Sequence, residues 1–230
     1  MTGGVARSVV FVVLLLLAAS PTSASPITFS GLDNPRGTLT NSLAAETQFK
    51  AALGVFGTET VDSLAGNDPT LAFGATGVTA TAGGTVVATF GPVSSPQVLQ
   101  DNAAVFTFNQ PVQGFGTFLI DLGTLLSNTT LTFILDNTVL NTTQSVNAGT
   151  FGPNADFFNV AFFGVIDVAS PFNRVTVQAS SQGPGSDAVF YDNLTAGFAA
   201  DAAVPEPASL LLLGTGLLAA AGAKRYRRKL

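Results

Sequence analysis

Short runs in which apolar and polar residues alternate, each closed by Gly, Pro, Asn or Asp, recur through the middle of the chain and limit its fold more than any other feature. A period of two belongs to half-buried strands, because successive side chains point to opposite faces. Residues 103–108 alternate and stop at Asn109-Gln110-Pro111. In the next run Phe115, Thr117, Leu119 and Asp121 share one face, and Gly116, Phe118, Ile120 and Leu122 the other; Phe118 and Ile120 are expected to point inward. Leu131, Phe133 and Leu135 alternate with Thr132 and Ile134, after which Asp136-Asn137 reads as a two-residue hairpin turn before a strand over 138–143. Further strands are expected at 78–82, 85–90, 159–165, 174–179 and 188–194, with Gly83-Gly84 as a second hairpin turn. One segment departs from this period. Ala45, Phe49, Ala52, Leu53 and Phe56 recur at helical spacing, which predicts a helix over 41–53 ended by Gly54 and covering an edge or open end of the sheets. The fold class that follows is all-β: an antiparallel β-sandwich or jelly roll with one short helix, spanning 25–197. Its core is phenylalanine-rich, with 19 Phe against two Tyr in the chain. Burying one such ring is worth ~1.5–3 kcal/mol, so even half of them suffice for one domain of this size.

Composition removes several function classes. The chain has no His, Cys or Trp, and charged residues make up 10 % of it. Disulfides, imidazole or thiolate metal sites and any His- or Cys-dependent catalytic dyad are therefore excluded. Residues 25–203 hold thirteen acids against Arg36, Lys50 and Arg174, a net charge of −10. A body of that charge does not neutralise phosphates, so nucleic acid is not an expected partner.

Both ends read as addresses. Arg7 is the only charge before an apolar run over 9–19, which is too short to cross a bilayer and is followed by Ser20-Pro21. Small residues at Thr22 and Ala24 suit a signal peptidase, so 1–24 reads as a signal peptide cleaved after Ala24. Residues 198–203 read as a linker. From 208 to 223 no residue is charged, a span of ~24 Å as a helix. Val204 and the stems of Lys224 and Arg225 lengthen its reach, so the run reads as a C-terminal transmembrane helix. The cluster Lys224, Arg225, Arg227, Arg228 and Lys229 then stops transfer and stays on the cytoplasmic side, leaving the bulk of the chain outside.

The order Val204-Pro205-Glu206-Pro207-Ala208-Ser209, a Leu/Gly/Ala-rich run and a basic end resembles the PEP-CTERM sorting domain of Gram-negative bacteria, over roughly the last 27 residues. The resemblance implies recognition of 204–230 by an exosortase, a membrane-embedded protein acting through a cysteine. It also implies cleavage near the motif, and transfer of the ectodomain from an inner-membrane-anchored precursor to the cell surface or exopolysaccharide matrix. The residues suit that role. Pro205 and Pro207 hold an extended segment with few backbone donors that a protease cleft can grip, and Glu206 is a single negative handle at the outer interface.

Chemistry in the body is sparse. Asp-Asn pairs at 33–34, 101–102, 136–137 and 192–193 are the oxygen-rich loops a structural Ca²⁺ would need; Asp33, Asp192 and Asn193 are the first ligand candidates, near the first and last strands. Turn residues capping their own backbone explain the same pairs. No other cofactor is expected. A Ca²⁺-supported carbohydrate-binding module is thus the alternative function, although Tyr191 is the ectodomain's sole Tyr or Trp for stacking on a sugar. A carboxylate-dependent glycoside hydrolase would draw on Glu46, Glu59, Asp62 and Asp68, with Glu46 expected on the exposed side of the helix. Three Asn-x-Thr sequons, at Asn128, Asn141 and Asn193, are what chance produces in an Asn- and Thr-rich chain. The expected function is a non-enzymatic exported surface or extracellular-matrix protein, structural or adhesive, associated with exopolysaccharide or biofilm.

Overall fold

The computed structural model describes residues 25–33, 38–88, 93, 97–101, 103–122, 129–151, 159–179 and 189–200. The expected signal peptide with Ala24, the expected sorting residues Pro205, Glu206 and Pro207, the expected span 208–223 and the basic cluster 224–229 lie outside the described residues.

Strand β1 (Ile27–Asp33) leads to helix α1 (Thr40–Ala52). There follow β2 (Leu53–Glu59), β3 (Gly66–Asn67), β4 (Thr70–Ala72), a 3-10 turn (Gly74–Thr76), β5 (Thr79–Ala82), β6 (Thr85–Ala88) and β7 (Gln97–Gln100). The second half consists of β8 (Val105–Val112), β9 (Gly114–Ile120), β10 (Thr129–Asn137), β11 (Thr142–Phe151), β12 (Val160–Ile166), β13 (Phe172–Ala179) and β14 (Phe190–Ala199). One sheet runs β1-β12-β9-β14-β7-β6-β3, with β2 also on β14, and the other runs β11-β10-β13-β8-β5-β4. The pairings are antiparallel, so the all-β sandwich expected from the alternation is the architecture.

Rings from both sheets meet between them. Phe106 of β8 and Phe115 of β9 have centroids 4.9 Å apart, Phe133 of β10 and Phe163 of β12 4.5 Å. Tyr191 of β14 stands edge-on to Phe106 at 5.8 Å. Tilted and edge-on pairs of this kind add ~0.5–1.5 kcal/mol each beyond the area they bury.

Helix α1 lies on the outer face of the first sheet, not on an edge or open end. Ala45 and Phe49 pack there with Phe118, Ile120, Val160, Phe162 and Ile166. This explains why every residue of β9 and β12 is buried: one face meets the opposite sheet, the other the helix. It also reverses the expected facing. Phe115 and Leu119 point into the sandwich, while Phe118 and Ile120 point out beneath α1. A strand buried on both faces carries apolar residues on both, so alternation alone does not say which face is the interior. Phe49 is seated on glycine. Gly116 and Gly164 are cross-strand partners, and a Cβ on either would come within 2.9 Å and 2.7 Å of the Phe49 ring.

Other boundaries moved for identifiable reasons. The helix ends at Ala52 because Leu53 is already extended (φ −87°, ψ 137°) and opens β2, whose residues pair with β14; Phe56 therefore belongs to a strand. Asp136 and Asn137 lie inside β10, and the hairpin turn is the four residues after Asn137, which pairs with Thr142. Asn137 Oδ1 accepts the Val139 and Leu140 amides at 3.1 and 3.0 Å, fixing that longer turn. Gly83-Gly84 is not a hairpin but a crossover: β5 pairs with β8 in one sheet and β6 with β7 in the other. Gly84 takes φ 117°, a conformation open to glycine. Strand β14 runs to Ala199, into the segment read as linker. Among the described residues no helix is long and apolar enough to cross a membrane.

Candidate functional site: the aspartate positions and the C-terminal motif

Asp33 ends β1 with its carboxylate turned onto the start of α1. It accepts the Asn41 amide at 3.0 Å, the Ser42 amide at 2.7 Å and the Ser42 hydroxyl at 2.6 Å. The residue at the N-cap position, Leu39, has no capping side chain, so Asp33 does from a neighbouring strand what an N-cap residue does locally. Burial acts to raise its pKa but is outweighed by these hydrogen bonds, which hold the carboxyl below its ordinary 3.8. The positive end of the helix dipole favours the same ionised form.

Asp192 and Asn193 occupy an interruption in β14. The register with β9 shifts between Asp192 and Thr195, and Asn193 takes φ 45°. At this bulge β14 changes partner, from β7 at Phe190 and Tyr191 to β2 from Leu194 onward. Asp192 is fully buried; its Oδ1 accepts the Asn193 amide at 2.7 Å, and its carbonyl accepts Thr117 Oγ1 at 3.1 Å. Asn193 Oδ1 is buried and accepts no hydrogen bond from a described residue.

The structure does not bring Asp33 and Asp192 together. Strands β12 and β9 lie between β1 and β14, three interstrand spacings or ~14 Å. Ligands of one Ca²⁺ sit ~2.3–2.6 Å from the ion, so these two carboxylates do not share one. Among the described residues no group of three acidic side chains is placed to hold a metal ion. Asp101 accepts the Ala103 amide at 3.0 Å and Asp136 the Thr143 hydroxyl at 2.7 Å.

Three of the four carboxylates considered for hydrolysis are also engaged, and the fourth, Asp68, lies in a turn. Glu46 is buried rather than exposed and pairs with Lys50 at 2.6 Å, because α1 lies flat on the sheet. Glu59 accepts the Val61 and Ala72 amides at 3.1 and 3.3 Å, Asp62 lies 3.5 Å from the Gln97 amide, and Asp68 takes φ 47° in a turn. Tyr191 is not a surface platform: it is 1 % exposed, and burial, with Asp101 nearby, pushes its phenol up. The bulge at Asn193 was not anticipated from sequence. Its signal was an Asn inside a strand pattern, since Asn tolerates positive φ better than most residues.

Residues 203–228 match the family model of the PEP-CTERM protein-sorting motif. The chain carries a PEP-CTERM sorting signal. The match takes in Pro205, Glu206, Pro207, Lys224, Arg225, Arg227 and Arg228, and begins just past β14, which ends at Ala199. A PEP-CTERM signal makes this an exported protein with an exosortase as its processing partner. No curated protein and no solved structure matches the chain.

Proposed function

We propose that the β-sandwich is a structural or adhesive, non-catalytic component of an exopolysaccharide-associated extracellular matrix at a Gram-negative cell surface. It is delivered as an inner-membrane-anchored precursor held by 208–223. The observation that carries this reading is the position of the PEP-CTERM signal, directly behind the last strand of the body it sorts. Two features support the finer part. Several described carboxylates serve structure: Asp33 caps a helix, Glu59 holds two amides and Glu46 an ammonium. Exposed positions such as Thr28, Thr47, Thr142 and Thr143 are uncharged and well hydrated, as suits a body packed densely beside polysaccharide. In this role Pro205-Glu206-Pro207 is the exosortase recognition segment and the basic cluster Lys224, Arg225, Arg227, Arg228 and Lys229 stops transfer. The test is to block exopolysaccharide synthesis in the host. The mature protein then moves from the cell-associated fraction to the medium; an unchanged distribution would count against a matrix role.

A further inference from the structure

The two lateral sides of the sandwich end differently. On one side the terminal strands are β3 and β4, of two and three residues, and β2, which lies on β14, is covered at Gly57 by the Phe73 backbone and ends in Glu59. On the other they are β1 and β11, of seven and ten residues. The ring contacts Phe115–Phe133 and Phe133–Phe163 set β10 across from β9 and β12, so β1 and β11 border the same side. An unpaired strand edge is a template for another strand, and proteins guard it with charge, proline, a bulge or a cover. Strand β1 is guarded. Asn41 of α1 donates its side-chain amide to the Leu32 carbonyl at 3.1 Å, a Cβ on Gly31 would collide with the Asn41 carbonyl, and Asp33 ends the strand. Among the described strands β11 pairs with β10 alone, and its residues Thr142–Phe151 include no charge and no proline. Among the described residues its guard is a bulge at Ala148, next to Gly149 at φ 127°, which leaves six regular residues, 142–147, with no described strand on their outer edge.

Charge selects the partner. A body of net charge −10 repels its own copy everywhere except where charge is missing. Across a two-fold axis each side chain near the axis meets its own equivalent, so a charged strand would oppose itself and a Thr/Ser/Asn strand does not. The nearest charge, Asp136 on β10, is already bonded to Thr143. We propose that β11 pairs antiparallel with β11 of a second copy about a two-fold axis at Ser145, joining two β11-edged sheets into one. Thr143 then faces Asn147 of the second copy. The turn residues Val139 and Leu140, 78 % and 66 % exposed, then stand against the second copy's Thr150-Phe151, covering apolar surface that the single chain leaves in water. This deepens the matrix reading, and rests on it for a setting in which copies accumulate.

The chain has no cysteine, so Ser145→Cys introduces a single thiol. Directly opposed Cβ atoms in such a pair lie ~4.5–5.5 Å apart, close to disulfide reach. The full-length chain is examined twice: in its exporting host after thiol quenching, and purified with diamide as oxidant. Gln48→Cys on the exposed side of α1 serves as the control. The expected result is roughly tenfold more covalent homodimer from Ser145→Cys than from Gln48→Cys, as proximity at a two-fold axis requires. Ser145→Lys, at an exposed position that needs no repacking, sediments as a monomer where the unaltered chain is a dimer. Equal cross-linking of the two variants, cross-linking to a different protein, or an unchanged sedimentation of Ser145→Lys each overturns the pairing. Fractionation of the same cells separates the two readings. Surface protein with an unlinked thiol sinks the pairing alone. Protein that never reaches the surface sinks the matrix reading, and the purified chain still decides the pairing.

Discussion

At Asp33 one carboxylate joins the first strand to the helix, and its chemistry makes a pH prediction. Its pKa in the folded chain lies below the ordinary 3.8, so its contribution to stability is complete above about pH 4 and is lost as pH falls through the lowered folded value. Asp33→Asn keeps the shape but turns an NH₂ toward donors, and is expected to cost about 1–2 kcal/mol at neutral pH. The same variant should show a shallower fall in stability between about pH 4 and pH 2. Acid titrations followed by circular dichroism check both, and parallel acid limbs for the two chains would contradict the assignment. Because the Asp33 oxygens are occupied by Asn41 and Ser42, adding Ca²⁺ is expected to leave the melting temperature unchanged. A second residue-scale prediction concerns the glycine seat. Gly164→Ala sets a methyl against the Phe49 ring and should destabilise by about 1–3 kcal/mol, and Phe49→Ala by about 3–5 kcal/mol, measured by urea unfolding.

Helix α1 supplies the outer layer that lets β9 and β12 be apolar on both faces. The spacing of Ala45 and Phe49 made the helix readable, and the alternation in β8 through β10 made the sandwich readable, because both periods follow from which face is buried. What was hidden has physical causes. Strands β3 and β4 are too short to show a period, and β2 follows α1 with no turn between them, its ladder with β14 overriding the helical pattern of Leu53 and Phe56. The Gly83-Gly84 crossover uses the same residues a hairpin would, and differs only in which sheet each flanking strand joins. Asp33 and Asp192 looked like a pair because strand order is not sequence order. At this scale the β10–β11 turn yields a separable prediction. Replacing Val139 and Leu140 by Ser removes no buried contact, so the thermal midpoint should stay within about 1 °C while self-association weakens. Sedimentation and calorimetry on one preparation check it, and a midpoint lowered by several degrees would show that the tip supports the fold.

For the whole molecule, an acidic body packed around phenylalanine is joined to a PEP-CTERM signal at 203–228. That tail was legible because its logic is compositional: a proline-flanked acid, an apolar run and a basic end need no tertiary contacts to be recognised. The role of the body was less legible, since its one tyrosine is buried and its described carboxylates form no cluster that would announce a ligand. Sorting itself makes the central claim testable. Glu206→Gln, or removal of residues 224–229, should leave precursor uncut in the membrane fraction. The most direct measurement is the intact mass of the chain recovered from the cell surface of the native host. The expected mass lacks residues 1–24 and the segment beyond the PEP-CTERM cleavage; a folded cytosolic chain retaining both Met1 and Leu230 would contradict it.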